Sequence, residues 1–129
     1  MNESYMLSAT FHVDPAELFQ GWLDSEMHAA FTGSPARIDP RPGGAFSVWD
    51  GYISGTTLEI QPPRRIMQSW RTTEFPADKP DSLLEVLFEK VPDGTKLTLK
   101  HSRVPAGQAE MYQQGWEEYY FTPMRIYFG

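Results

Sequence analysis

The feature that most constrains this chain is a succession of segments in which apolar and polar residues alternate. Residues 4–13, 65–71, 82–91 and 96–101 place apolar side chains at every second position, which is the period of a half-buried strand. Such strands predict an antiparallel meander with one apolar face that needs a cover. Residues 106–128 instead space their aromatic side chains at helical intervals, and their length of roughly 20 residues makes them the largest available cover.

The stretch "GGAFSVWDGYISG", residues 43–55, predicts a β-hairpin. Apolar residues alternate on both sides of Asp50-Gly51, which has the composition of a two-residue type I′ turn. Gly55 lies inside the returning strand, where a missing side chain marks a bulge, a bend or a close packing partner. A phosphate-binding loop is disfavoured because no lysine follows the glycines.

Two short helices are predicted after the first strand. Asp14, Pro15 and Glu17 have the spacing of a capping box with proline in the first turn. The second helix follows Asp24 and stops at Gly33, and the proline-rich connector after it includes a brief strand at residues 36–38. We therefore expect an α+β fold in a single domain over residues 1–129, with a curved antiparallel sheet and a long C-terminal helix.

Pro123 falls near the end of the terminal helical segment. A proline inside a helix lacks the backbone N–H and clashes with the preceding turn. We expect it to kink or tighten the last turns.

Composition excludes several classes of function. The chain has 129 residues, a net charge of −6 and no cysteine. An acidic chain without a run of basic residues is not attracted to nucleic acid or to anionic membranes, and no segment has the length and apolarity of a membrane span or signal peptide. The absence of cysteine excludes disulfides and thiolate sites and favours a reducing, cytoplasmic location. No cofactor is indicated.

The aromatic content is 14%, with 4 Trp, 6 Tyr and 8 Phe, which exceeds what a small core needs. Some of these rings are therefore expected to line a cavity. The three histidines, His12, His28 and His101, have no metal-ligand spacing.

Two polar residues share the apolar faces of their strands. His101 lies beside Leu99, where it is either a hydrogen-bonded structural histidine or a group that contacts a ligand or transfers a proton. Gln68 either orients the polar end of a ligand or satisfies backbone groups at a strand bend.

Glu117 and Glu118 are adjacent in a helix and point about 100° apart, so they are read as solvated charges. No serine lies in a G-x-S-x-G nucleophile elbow.

Several motifs occur in an order that resembles a known family. The run "GGAFSVWDGYISGTTLEIQPPRRIMQSWR", followed by "GTKLTLKHSRVP" and "GWEEYYFTPMRIYF", is similar to the activator of heat-shock-protein-90 ATPase homologue C-terminal-domain family. This family belongs to the START and birch-pollen-allergen-like (SRPBCC) superfamily. The resemblance covers nearly the whole chain and implies a helix-grip fold, in which a bent sheet wraps around the C-terminal helix and leaves a cavity between them.

The resemblance implies functions of three classes. The first is a non-catalytic module that binds a small hydrophobic or amphipathic molecule in the cavity. The second is a cyclase or hydrolase that uses His101 as acid or base. The third is a co-chaperone-type module, linked to the stress response, that acts on a heat-shock-protein-90 homologue. The family's namesake uses a further N-terminal domain for that activity, so the first class is favoured, as a monomer or homodimer.

The expected ligand-binding residues combine apolar walls with two polar anchors. They are Phe46, Val48, Gln68, Trp70, Val86, Phe88, Leu99, His101, Trp116 and Tyr120. No catalytic or metal-binding residue is assigned.

Overall fold

A computed structural model describes residues 2–129 of the chain. In this range, seven strands form one antiparallel sheet that does not close into a barrel. The strands are β1 (Asn2–Phe11), β2 (Ala36–Ile38), β3 (Ala45–Val48), β4 (Ile53–Gln61), β5 (Arg65–Thr72), β6 (Ser82–Val91) and β7 (Gly94–Pro105). Their order across the sheet is β1-β7-β6-β5-β4-β3-β2. The predicted meander is confirmed, and β1 joins it at the edge beside β7.

The helices lie at the predicted places. They are α1 (Pro15–Leu23), α2 (Ser25–Thr32), α3 (Ala109–Trp116) and α4 (Thr122–Phe128). A π-helical turn, Glu117–Phe121, joins α3 to α4. Residues 109–128 therefore form one continuous C-terminal helix with a wide turn in its middle.

The starts of the two short helices differ in their capping. Helix α1 begins at Pro15 as predicted, but the predicted capping box is wrong: the Asp14 side chain makes no cap hydrogen bond, and its Oδ1 atom lies 3.5 Å from Lys90 Nζ. Asp24 does cap α2, since its Oδ1 accepts hydrogen bonds from two backbone N–H groups of the first turn at 2.8 and 3.2 Å. Gly33 ends α2 with a left-handed φ of 78°.

The β3–β4 hairpin turns as its sequence indicates. Asp50 and Gly51 have φ values of 55° and 88°, and the Tyr52 N–H donates to the Trp49 carbonyl at 3.1 Å, as a type I′ turn requires. Trp49 also has a positive φ, 56°, which is uncommon for a bulky residue. The turn therefore holds an indole ring in a defined place beside the sheet.

Gly55 allows the closest backbone approach in the hairpin region. A Cβ atom at this position would lie 1.9 Å from the Ser69 carbonyl oxygen and 2.9 Å from the Phe46 ring. Of the predicted reasons for this glycine, the structure shows close packing. The register irregularity of β4 lies further on, between Thr57 and Glu59.

One face of the sheet packs against the helices and forms the core. Alternate residues of β5, β6 and β7 are buried on this face, as predicted from their period. They include Ile66, Gln68, Trp70, Leu84, Val86, Phe88, Leu97, Leu99 and His101. The C-terminal helix lies across them, with the Trp116 ring centroid 5.7 Å from that of Trp70.

The disturbance near Pro123 is a widening of the helix, whereas the sequence predicted a kink or a tightened turn. In the π-helical turn the Thr122 N–H donates to the Glu117 carbonyl, five residues earlier. A regular helix would press the Pro123 ring against the Tyr119 carbonyl, and a wide turn before the proline relieves that contact. The widened turn also lets two successive residues, Tyr120 and Phe121, be buried.

Candidate functional site

An open groove of about 470 Å³ lies between the C-terminal helix and the β3–β4 hairpin. Its volume is in the range of small-molecule binding sites. The residues that line it are mostly aromatic. They are Trp49, Tyr52, Ile53, Trp70, Glu74, Met111, Tyr112, Gly115, Trp116, Tyr119 and Tyr120.

Three elements place these side chains. The hairpin turn contributes Trp49 and Tyr52, which flank the tight turn and therefore project from the same end of the sheet. Strand β5 contributes Trp70 at its buried face. The C-terminal helix contributes Tyr112 and Trp116, which lie four residues apart and so occupy one face of the helix.

Trp49 forms the hairpin side of the groove. Its ring packs edge to face against Tyr119 and Tyr120, with centroid distances of 5.7 and 6.2 Å. Its indole nitrogen Nε1 is the one buried side-chain polar atom in residues 2–129 without a hydrogen-bond partner. Burial raises the pKa of the Tyr120 hydroxyl, and the Trp49 N–H, which is near that hydroxyl but does not meet hydrogen-bond geometry, opposes this shift.

Glu74 supplies the only charge in the lining. The Tyr52 hydroxyl donates a hydrogen bond to the Oε2 atom of Glu74. Burial, and then the adjacent carboxylate, raise the pKa of Tyr52 to about 12, so the phenol stays protonated and keeps donating at neutral pH.

Tyr112 is held by a hydrogen-bonded chain at the same rim. Its hydroxyl donates to Gln108 Oε1 at 2.7 Å and accepts from the Thr72 hydroxyl at 2.7 Å. Gln108 Nε2 in turn donates to the Glu74 backbone carbonyl at 3.0 Å. The rim of the groove is therefore tied to both strand β5 and the start of the helix.

A second hollow lies deeper in the core but is almost filled. Its volume is only about 10 Å³, which is close to the smallest space that holds one water molecule. It shares Trp70, Trp116 and Tyr120 with the groove, and these three rings form the wall between the two spaces.

His101 lies behind that wall in a completed hydrogen-bonded chain. The Ser82 hydroxyl donates to the Trp70 carbonyl at 2.6 Å, so His101 Nε2 must donate to Ser82 Oγ at 2.8 Å. His101 Nδ1 then accepts from the Tyr5 hydroxyl at 2.6 Å, and that hydroxyl accepts from Trp116 Nε1 at 2.9 Å. Burial lowers the pKa of His101 to about 3. The imidazole is therefore neutral, with both nitrogens occupied.

The polar side-chain atoms of His28 and Gln68 also have hydrogen-bond partners inside the protein. The Trp22 carbonyl accepts from His28 Nδ1 at 3.0 Å, and His28 Nε2 accepts from the Tyr120 hydroxyl at 2.8 Å. Burial lowers the pKa of His28 to about 4, against the opposing effect of the Trp22 carbonyl. Gln68 accepts from Trp22 Nε1 at 3.3 Å and donates to Thr57 Oγ1 at 3.2 Å.

The ten residues expected to bind a ligand fall into three places. Trp70, Trp116 and Tyr120 line the groove. Phe46, Val48 and Gln68 line only the small hollow, although Trp70, Trp116 and Tyr120 reach it as well. The remaining four lie in neither lining and belong to the packed interior: Val86, Phe88, Leu99 and His101.

Sequence reasoning missed most of the groove. Tyr112 and Tyr119 share the helical aromatic spacing with Trp116, so that pattern held the signal for them. Trp49 and Tyr52 flank the predicted Asp50-Gly51 turn, and aromatic residues on both sides of a tight turn are a second usable signal. Glu74 lies in the loop after β5 and carries no sequence signal of its own.

The groove lining contains no serine, threonine, lysine or histidine, and Glu74 is its single carboxylate. Its chemistry is that of apolar contact, with a few hydroxyl groups and one negative charge. Across residues 2–129, no group of three or more histidine and acidic side chains is arranged to hold a metal ion. No helix in the described range has the length and apolarity to cross a membrane.

The chain is similar to curated proteins named for heat-shock-protein-90 activation. It is 31% identical over 123 residues to the human protein "Activator of 90 kDa heat shock protein ATPase homolog 1". The match covers 95% of this chain and 36% of the human protein, so the chain spans about a third of that relative's length.

Solved structures share the fold. A Plasmodium falciparum protein titled as an HSP90 activator superposes with a TM-score of 0.87 at 28% identity, covering 96% of this chain and 94% of that one. CalU16 from Micromonospora echinospora superposes with a TM-score of 0.81 at 25% identity, covering 99% and 77% of the two chains.

The family model described as "Activator of Hsp90 ATPase homolog 1-like protein" matches residues 12–129. Together with the helix-grip architecture, this match shows that the chain belongs to the Activator of Hsp90 ATPase homolog 1-like family, within the SRPBCC superfamily.

Proposed function

We propose that this domain binds a small hydrophobic or amphipathic molecule in the groove between the C-terminal helix and the β3–β4 hairpin. The single observation that carries the proposal is an open groove of about 470 Å³, which is far larger than the hollow of about 10 Å³ in the core beside it. Burying aromatic and aliphatic surface of a guest in such a groove is favourable because it removes that surface from water.

The exposed residues at the rim support this function. Met111 is 41% exposed and Tyr119 is 56% exposed, although both lie on the helix face that borders the groove. Large apolar side chains at the edge of a concave site are typical of ligand-binding grooves. A guest would cover them.

A groove-filling variant gives a direct test. Gly115 lines the groove, and a Cβ atom built there meets only Tyr119, at an ordinary contact distance of 3.9 Å. Gly115→Leu should therefore fill the space without a backbone clash, and replacing a helical glycine should stabilise the helix by about 0.5–1 kcal/mol.

The assay is a thermal-shift screen of lipophilic compounds, followed by calorimetry on the hits. At least one compound class should raise the melting temperature of the natural protein, because a ligand that binds only the folded state stabilises it. Gly115→Leu should lose the shift, while Gln114→Leu, at an exposed position outside the lining, should keep it. Equal shifts in both variants, or no shift with any class, would refute the proposal.

A second function, contact with a heat-shock-protein-90-type chaperone, is favoured by the names of the relatives. The human relative is named as an activator of that chaperone's ATPase, and the matched region is 95% of this chain. The Plasmodium falciparum chain titled as an HSP90 activator is matched over 94% of its length. We propose that the present domain supplies a chaperone-contacting surface.

The test is to add the purified domain to a purified chaperone of this class and measure ATP hydrolysis and direct binding. A chaperone-specific ATPase inhibitor separates the chaperone's activity from contaminants. Stimulation or measurable binding is expected. If neither occurs at a domain concentration well above that of the chaperone, this second function is wrong, whatever the outcome for the groove.

A further inference from the structure

We propose that the groove selects a positively charged amphipathic molecule, namely an amine or quaternary ammonium on an apolar body. This inference rests on the proposed ligand-binding function and names the chemical class of its ligand. It follows from two properties of the lining that act in the same direction.

The first property is aromatic density. Seven of the eleven lining residues are Trp or Tyr. The face of an aromatic ring carries partial negative charge and attracts a cation within about 6 Å, with Trp the strongest. Three of the seven are tryptophans, Trp49, Trp70 and Trp116. A neutral guest gains only apolar contact from these rings, whereas a cationic guest gains that contact and the attraction.

The second property is the sign of the charge. Glu74 is the only charged residue in the lining, so the groove has a carboxylate and no lysine, arginine or histidine. In strand β5, Arg71 does not fill that role, because its guanidinium bonds to Asp81 at 2.9 Å and lies over the Phe75 ring. An anionic guest would therefore meet a like charge without a compensating cation.

The carboxylate is held in place rather than free to swing away. The Tyr52 hydroxyl donates to its side chain. Its backbone N–H donates to Thr72 Oγ1 at 3.1 Å, and its carbonyl accepts from Gln108 Nε2 at 3.0 Å. A negative group in a lining that is otherwise aromatic and apolar is complementary to an alkylammonium head, while the body of the guest lies along the apolar walls.

The experiment compares three probes that share an eight-carbon chain: octyltrimethylammonium, octanol and octanoate. Binding is measured by calorimetry and by tryptophan fluorescence, below the concentrations at which the probes aggregate. We expect octyltrimethylammonium to bind about tenfold more tightly than octanol, and octanoate to bind most weakly. Raising the salt concentration should reduce the preference for the cation.

Two matched variants test the role of the carboxylate. Glu74→Gln removes the charge but keeps an oxygen that accepts from the Tyr52 hydroxyl, so the fold is retained. It should lower the affinity for octyltrimethylammonium several-fold, to within about threefold of octanol, and change octanol binding by a smaller factor. Glu118→Gln makes the same charge change at an exposed position outside the lining and should alter neither.

The outcomes separate this inference from the function on which it rests. If octanol or octanoate binds as tightly as the cation, the groove binds ligands but the inference is overturned. If Glu74→Gln keeps the full preference, the assignment of Glu74 is overturned. If none of the three probes binds and the compound screen also fails, the ligand-binding function itself is wrong, and the inference falls with it.

Discussion

The two sides of the wall formed by Trp70, Trp116 and Tyr120 differ in how their polar groups are satisfied. On the interior side, each side-chain nitrogen and oxygen of His28, His101 and Gln68 has a hydrogen-bond partner among neighbouring side chains and carbonyls, and the space that remains is about 10 Å³. On the groove side, an indole N–H has no partner and a space of about 470 Å³ stays open.

This difference separates a part of the domain whose polar atoms are paired and whose space is filled from a part that leaves space open. Leaving a buried polar group without a partner lowers the free energy of unfolding by more than its hydrogen bond had contributed. Substitutions on the interior side should therefore be strongly destabilising. The groove side also carries rings that are partly exposed, Trp49, Tyr52 and Tyr119, and substitutions of these three should affect the proposed ligand binding more than folding.

Replacing His101 should cause the largest loss. His101→Ala leaves the Tyr5 hydroxyl without its acceptor, deprives Ser82 of a donor and opens a cavity at a side chain that is 1% exposed. We expect the free energy of unfolding to fall by about 4 kcal/mol, measured by chemical denaturation. His12→Ala, at an exposed position, is the control and should change little. A loss of about 1 kcal/mol or less for His101→Ala would contradict the interior assignment.

Acid should destabilise the folded protein through the same side of the wall. His28 and His101 have folded pKa values of about 4 and 3, below the ordinary histidine value, so the unfolded chain binds more protons between those values and about 6.5. Their stabilising contribution is complete above that upper limit and declines as the pH falls. We expect a loss of about 3 kcal/mol between pH 7 and 5.

Denaturant unfolding at constant ionic strength measures this loss, and imidazole NMR signals report protonation. Both rings should remain neutral in the folded protein at pH 5. A flat stability profile, or a protonated His101 in the folded state, would show that the hydrogen-bonded chain is assigned incorrectly.

Gln68 should have an intermediate effect. Gln68→Leu roughly preserves the side-chain volume but leaves Trp22 Nε1 and the Thr57 hydroxyl without their shared partner. We expect a loss of about 2 kcal/mol in the free energy of unfolding. Met67→Leu, one residue earlier and on the opposite face of the strand, serves as the control. Equal small effects in both variants would indicate that the Gln68 amide is dispensable.

Replacing Tyr119 should reduce ligand affinity much more than the free energy of unfolding. Its ring packs against Trp49 but is 56% exposed, so Tyr119→Ala should lower the free energy of unfolding by only about 0.5 kcal/mol. Affinity for any groove ligand should fall several-fold, because one wall of the site is removed. Calorimetry and denaturation on the same sample give both quantities. A large stability loss with unchanged binding would reverse the contrast between the two sides.

Trp49 should show the smallest effect on folding, and with the opposite sign. Trp49→Phe removes the indole N–H that has no partner while keeping an aromatic ring in the hairpin turn. Because a buried unpaired donor is destabilising, we expect stability to be unchanged or raised by a few tenths of a kcal/mol. Thermal denaturation resolves this sign, and a clear decrease would mean that the indole N–H has a partner in solution.

The sequence predicted the fold well because the periods of its strands and its terminal helix are strong local signals. The alternation that contains Ile66, Gln68 and Trp70 determines which face of β5 is buried, and no distant residue can reverse it without exposing a tryptophan. The capping of α1 was not predictable in this way. An aspartate before a helix can cap it or, like Asp14, lie near a lysine from another strand.

The site was harder to predict because it depends on where packing is incomplete. Val86 and Leu99 have the pattern of cavity walls, yet side chains from the helices fill the space above them, and both are fully buried. Trp116 looks the same in sequence and borders an open space. An apolar face remains uncovered when the side chains of several elements together do not fill the space above it. The periodic pattern of one segment carries no information about that total volume.

The wide turn at Glu117–Phe121 divides the terminal helix into two halves that pack against different parts of the domain. The half before the turn carries Tyr112 and Trp116 beside the groove, while the half after it ends at Phe128, whose ring lies 6.5 Å from Phe11 and 5.9 Å from Phe31. One residue corresponds to a rotation of about 100° along a helix. Removing a single residue from this turn would thus rotate one half of the helix relative to the other. Substitutions within the first half, by contrast, leave the packing of Phe128 in the second half in place. Side chains beside the groove can therefore change in size without disturbing how Phe128 packs against Phe11 and Phe31.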